Sequence, residues 1–183
     1  LPDGSTMAVG GFFNHYTALE SVIFEGDISV GGSPFDSCTA LKEVTFKGKA
    51  DLTIGGPFAS CPALQTITFE DESKIAGGAF SSCKSLETLT FAKKTEISYG
   101  PFSCFGENEN TSLKELVFPD GSNLNTAAVF VDFKGLERVT FEGDIALTNG
   151  SFGGCTALKE VTFNGESKLI NGVFGSCSAL ESV

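Results

Sequence analysis

One phrase recurs along this chain at a near-constant interval, and it restricts the fold more than any other feature. It is clearest as PFDSCTALKEVTF, Pro34 to Phe46. A leading Phe opens each copy (Phe13, Phe35, Phe58, Phe80, Phe102, Phe130, Phe152, Phe174), and successive markers stand 22 or 23 residues apart with one step of 28. Six residues on comes Leu (Leu19, Leu41, Leu64, Leu86, Leu136, Leu158, Leu180), delayed to Leu113 in the fifth copy alone. Val, Ile or Leu follows three later (Val22, Val44, Ile67, Leu89, Leu116, Val139, Val161, Val183), and two beyond that a second Phe (Phe24, Phe46, Phe69, Phe91, Phe118, Phe141, Phe163). Two columns thus hold 15 of the 18 Phe, which makes them stacked positions of a repeat array rather than scattered contacts.

The end of each phrase alternates apolar with polar, Val44, Thr45, Phe46, the period of a strand with one buried face. Its outward positions form two further columns. Ser21, Glu43, Thr66, Thr88, Glu115, Arg138 and Glu160 make one; Ile23, Thr45, Thr68, Thr90, Val117, Thr140 and Thr162 make the other. A turn follows, as Glu25 to Asp27 or Glu142 to Asp144, then a shorter alternation (Ile28 and Val30, Leu52 and Ile54, Ile145 and Leu147) that predicts a second small strand. Glycines then release the backbone before the marker returns. The marker segment is too short for an α-helix and reads as a turn or a single 3₁₀ twist. Each copy has an apolar face that it buries only by stacking on the next, so the chain is expected to be one solenoid of about eight repeats over residues 1–183 with a five-residue insertion at 106–110.

Composition narrows the function. A net charge of −11 gives no basic footprint for nucleic acid. One Arg (Arg138) and one His (His15) leave little material for catalysis, so no catalytic residue, metal ligand or cofactor is assigned. No apolar run approaches the roughly 20 residues that span a bilayer. The chain opens at Leu1 and stops at Val183 in mid-phrase, and so reads as a piece of a longer protein. Without polar end caps it is expected to associate end to end. Five of the six Cys (Cys38, Cys61, Cys83, Cys155, Cys177) sit three residues after the marker, where other copies carry Tyr16, Phe105 and Phe133. An aromatic replaces a core thiol, not half of a bridge, so these read as buried free Cys.

The order of marker Phe, Cys, Leu and aliphatic, with Ala79, Phe80 and Cys83 as its clearest phrase, resembles the leucine-rich repeat of the BspA-like class along essentially the whole chain. Pro34, Pro57, Pro101 and Ser151 depart from that class's Ala before Phe. The resemblance implies a right-handed superhelix with a parallel sheet on its concave face and short strands, turns and 3₁₀ segments on the convex side. It also implies a non-enzymatic recognition module of bacterial or protozoan surface proteins, extracellular, adhering to a protein or glycan of unknown identity. On that reading the two outward columns form the partner-binding face, with Glu107, Asn108, Glu109 and Asn110 as a loop candidate. The bland alternatives are a solvated face, and for the loop a neutral insertion. Asn110-Thr111-Ser112 and Asn149-Gly150-Ser151 fit the glycosylation pattern. Competing functions are an architectural spacer and a carbohydrate-active parallel β-helix, the latter disfavoured because carboxylates recur with the repeat instead of clustering.

Overall fold

The structure is a computed structural model that describes residues 5–7, 12–98, 100, 112–124, 129–148 and 150–183. Among these the strands run in chain order as β1 (Ser5–Met7), β2 (Ser21–Phe24), β3 (Ile28–Gly31), β4 (Glu43–Phe46), β5 (Ala50–Ile54), β6 (Thr66–Phe69) and β7 (Ser73–Ile75). They continue as β8 (Thr88–Phe91), β9 (Thr95–Ile97), β10 (Glu115–Phe118), β11 (Arg138–Phe141), β12 (Ile145–Thr148), β13 (Glu160–Phe163) and β14 (Ser167–Ile170). Successive repeats supply one strand to a first face and one to a second, as the two alternations predict, except that between β10 and β11 the second face keeps only the bridge of Asn123 to Glu96 among the described residues.

All pairing is parallel, which only crossover connections allow. On the first face the order is β2-β4-β6-β8 and then β10-β11-β13; on the second it is β1-β3-β5-β7-β9 and β12-β14. The register joins equivalent residues one repeat apart, Val44 with Ile67 and Phe46 with Phe69, then Ile67 with Leu89 and Phe69 with Phe91. A slip of one residue would turn each Phe outward, so burial fixes the register. The result is a parallel β-solenoid without helix among the described residues.

Both Phe columns run through its interior. Phe24, Phe46 and Phe69 stack at 4.8 Å per step, the ladder spacing of a sheet. Phe35, Phe58 and Phe80 stack at 5.0 and 5.4 Å. The two stacks meet edge to face, Phe46 against Phe58 at 6.0 Å and Phe141 against Phe152 at 6.2 Å, the arrangement that ring quadrupoles favour. Most polar residues that enter the core are satisfied there: the Ser151 hydroxyl donates to the Thr148 carbonyl at 2.6 Å. In the inner column of the second face the Ser73 hydroxyl donates to Thr95 Oγ1 at 2.8 Å, and the Thr95 amide donates to the Ser122 hydroxyl at 3.2 Å.

The marker segment corrects one expectation, for no 3₁₀ helix occurs among the described residues. It forms two successive turns instead, closed by Cys38 N to Phe35 O at 3.3 Å and Leu41 N to Cys38 O at 3.0 Å. A 3₁₀ helix cannot continue because the residue two after the marker is left-handed in each described copy. His15, Ser37, Ser60, Ser82, Asp132 and Ser176 have φ between 54° and 62°, and Gly154 has 74°. Such a conformation costs an L-residue roughly 1–2 kcal/mol. It is held because it turns the amide toward the following coil, as in Ser37 N to Ala59 O at 3.0 Å and Ser60 N to Ser81 O at 2.8 Å. The marker amide does likewise, Phe35 N to Pro57 O at 2.9 Å and Phe152 N to Val173 O at 2.9 Å. The marker turn is therefore a third hydrogen-bonded side of the solenoid. It also gives His15 a structural reason: this ring type tolerates a left-handed backbone better than most.

Candidate functional site

The outward columns lie where the alternation puts them, on the first face. Ser21, Glu43, Thr66 and Thr88 are in register, as are Ile23, Thr45, Thr68 and Thr90. Glu115, Arg138 and Glu160 continue the first column, and Val117, Thr140 and Thr162 the second. Thr45, Thr66, Thr68, Thr140 and Thr162 are half-buried and the rest exposed. The threonines shield one another along the ladder, as β-branched side chains on a pleated surface do. Two members break the polar pattern: Ile23 is 48% exposed and Val117 40%. The structure does not join the columns into one sheet, because the first face divides between β8 and β10. Glu107, Asn108, Glu109 and Asn110 lie outside the described residues, as do both glycosylation asparagines.

Charges flank the columns as cross-coil pairs. Lys42 meets Glu20 at 3.3 Å, Lys159 and Lys114 meet Glu137 at 3.2 and 3.6 Å, and Arg138 meets Glu115 at 3.2 Å. The Lys159 ammonium, with Lys114 behind it, holds the Glu137 carboxyl below its ordinary range. The folded state is thus favoured at neutral pH, and that contribution fades as acid protonates the carboxylate. Exposed pairs add little stability; opposite charges one coil apart reinforce the register. On the second face a cavity of about 250 Å³ is lined by Lys49, Asp51, Glu72, Lys74, Lys94 and Glu96. Its cations are already matched, Lys49 and Lys94 to Glu72 at 3.2 and 3.5 Å and Lys74 to Glu96 at 3.4 Å.

A second cavity, of about 310 Å³, opens where the first face divides, with Glu87, Thr88, Thr90, Lys114, Glu115 and Val117 at its rim. The sequence gives this position away only indirectly, through the delayed Leu113 and through Pro119 at the exit of β10. Among the described residues no group of three or more His, Cys, Asp or Glu is placed to hold a metal ion.

The five column cysteines are free, and each does more than fill space. The thiol donates to the carbonyl of the preceding marker: Cys38 to Phe13 at 3.1 Å, Cys61 to Phe35 at 3.3 Å, Cys83 to Phe58 at 3.4 Å, Cys155 to Phe130 and Cys177 to Phe152 at 3.1 Å. Burial pushes the Cys61 thiol up to about 12. Cys155 is raised by its hydrogen bond to Cys177 and by burial, whereas the same bond lowers Cys177, which is only half-buried. Since the thiolate is the reacting form, timed alkylation at pH 8 with peptide mapping should, of these five, label Cys177 first and leave Cys61 and Cys155 unlabelled until the chain unfolds. Equal labelling of Cys61 and Cys177 would contradict this packing.

The profile of the BspA type leucine rich repeat region matches residues 10–120 and 102–183, in six copies. Among solved structures the chain is similar to the leucine-rich repeat protein TpLRR of T. pallidum, with a TM-score of 0.67 and 24% identity over 88% of this chain and 78% of that one. A leucine-rich repeat protein from Bacteroides ovatus aligns over 95% of this chain and 69% of its own at 16% identity and a TM-score of 0.35. No curated protein is similar enough to match. The repeat phrase, the in-register parallel faces and the matched profile agree: the chain belongs to the BspA-type leucine-rich repeat family.

Proposed function

We propose that this chain is a non-enzymatic recognition segment of a cell-surface or secreted protein, which binds a protein or glycan partner through the outer surface of its first face. Leucine-rich repeats are generally protein-interaction modules, and those of the BspA type are typically surface-associated. The observation that carries the reading is the outward-facing lattice itself. Its rigid, in-register columns hold threonines at fixed spacing, and two apolar side chains, Ile23 and Val117, stand exposed among them. A regular polar array on a fixed backbone loses little entropy when a partner settles on it, which favours association. The charge pairing on both flanks limits nonspecific attraction and leaves shape and hydroxyl chemistry to select the partner.

The test is binding of the recombinant chain to extracellular-matrix proteins and to a glycan panel, alongside two variants. Thr68→Lys places a bulky cation in the lattice, and Thr53→Lys places one at an exposed site on the second face. Thr68→Lys should weaken binding about tenfold or more while Thr53→Lys leaves it unchanged. Equal binding by both variants would move the site elsewhere, and absence of binding at high micromolar concentration would favour the architectural spacer.

A further inference from the structure

The division of the first face is written in the sequence. At every other coil junction described on this face, the residue after the second-column Phe donates its amide to the preceding column Phe. Lys47 donates to Phe24 at 2.9 Å, Glu70 to Phe46 and Ala92 to Phe69 at 2.8 Å, Glu142 to Phe118 and Asn164 to Phe141 at 2.9 Å. After Phe118 that residue is Pro119, which has no N–H, so the Phe91 carbonyl gains no bond there. The strand entry repeats the omission. Lys42 donates to Glu20 at 2.8 Å, Gln65 to Lys42 and Glu87 to Gln65 at 2.9 Å, Glu137 to Lys114 at 2.8 Å, yet Lys114 does not bond Glu87. Behind the gap the same two coils stay joined. Asn123 bonds Thr95 and Ile97 on the second face at 2.8 Å each, and Phe91 still stacks on Phe118, at 5.8 Å.

The seam therefore opens outward only. Leu89 and Phe91 on its floor are each 5% exposed, against 0% for Val44, Phe46, Ile67 and Phe69 in the closed part of the sheet. Ladder groups of β8 and β10 face each other unjoined across a cavity of about 310 Å³. Unmet backbone groups at a sheet edge are a standing demand for hydrogen-bond partners.

We propose that this seam is the binding site of a neutral, hydroxyl-rich saccharide; the proposal rests on the recognition reading above and names its ligand class. Seating a peptide strand between β8 and β10 would require two ladder spacings, roughly 9.6 Å, and the stacked rings beneath hold the lips much closer. A hydroxyl is one atom wide, donates and accepts at once, and so bridges an N–H on one lip to a C=O on the other. Glu87 at the rim accepts from vicinal hydroxyls, Glu115 adds the carboxylate oxygen that its 3.2 Å pair with Arg138 leaves over, and exposed Val117 beside Thr90 offers an apolar patch to a sugar C–H face. Lys114 is engaged by Glu137 at 3.6 Å. With a net charge of −11, the chain as a whole repels a sulfated or uronic saccharide.

The experiment follows backbone amide shifts while neutral hexasaccharides of glucose, mannose and galactose, a sulfated hexasaccharide, an extended peptide and a matrix protein are titrated in turn. One neutral hexasaccharide should move the amides of Leu89, Lys114, Glu115 and Val117. Glu115→Gln should lower its affinity about tenfold, and Glu70→Gln, at an exposed position after β6 and outside both columns, should leave it unchanged. Pro119→Ala restores the missing donor and should reduce binding in a chain that unfolds at an undiminished temperature. Saccharide shifts confined to the lattice from Ile23 to Thr68 would overturn the seam and keep the recognition function. Binding of the peptide, the matrix protein or the sulfated hexasaccharide at the seam, with none by neutral sugars, would overturn the ligand class. Failure of all six probes would overturn both.

Discussion

Phe58→Ala should cost the solenoid about 3–5 kcal/mol and uncouple the coils on either side of it. The ring is fully buried, stacked on Phe35 at 5.0 Å and Phe80 at 5.4 Å and meeting Phe24 and Phe46 edge-on at 6.4 and 6.0 Å. Its removal opens a hole that backbone ladders on three sides prevent from collapsing, and uncollapsed cavities are the expensive ones. Coils in such an array contact only their neighbours, so the loss falls on the two interfaces that Phe58 joins. Urea unfolding should show the main transition at lower denaturant, and hydrogen exchange should show faster opening of β2, β4 and β6 than of β11 and β13. The comparison variant is Phe174→Ala. That ring is only half-buried and, among the described rings, stacks on Phe152 alone at 5.8 Å, so its loss should be felt far less. Equal costs for the two would mean that the column does not act as one continuous core.

The same column shows why so much of the fold was legible. Burial in a solenoid is periodic because each coil meets a copy of itself, so the positions of Phe35, Phe58 and Phe80 announce both the architecture and the register. The outward columns were legible for the same reason, since in a strand what is not inward is outward. Three features were not. The left-handed residue two after each marker is set by backbone direction, and Ser37, Ser60 and Ser82 share no side-chain property that demands φ > 0; His15, Asp132 and Gly154 alone hint at it. The thiol hydrogen bonds were hidden because Cys38 and its equivalents fit equally well as small apolar fillers. The seam was hidden because the loss of one N–H at Pro119 is invisible in a pattern of hydrophobicity. The candidate site thus divides: its columns follow from periodicity, and the place where they part follows from a single exception to it.

Gly48→Ala should be a strongly damaging small substitution, at about 3 kcal/mol, the upper end of what overpacking costs. Gly48 has an ordinary backbone, so the penalty is not conformational. A methyl group there would collide with the amide nitrogen of Asp27 and the carbonyl carbon of Gly26 in the preceding coil. Backbone atoms cannot swing aside, so the coils must separate. The first casualty is the bond from the Lys49 amide to the Asp27 carboxylate at 2.8 Å, followed by Ile28 N to Lys49 O at 2.8 Å. The same joint recurs far along the chain. Asp144 accepts from the Glu166 amide at 2.8 Å, and a methyl on Gly165 would strike Gly143 and Asp144. An Asp that closes one turn thus requires Gly in the next, and Gly165→Ala should be comparably harmful to the coils around it. Gly172→Ala separates crowding from conformation: φ there is +61° but nothing lies within 4 Å of the added carbon, so the cost should stay near the roughly 1–2 kcal/mol of a left-handed L-residue. Removing the side chain with Asp27→Ala should not rescue Gly48→Ala, because the obstruction is main chain. A double variant as stable as Asp27→Ala alone would show that the carboxylate, not the backbone of the coil before it, sets how closely two turns approach.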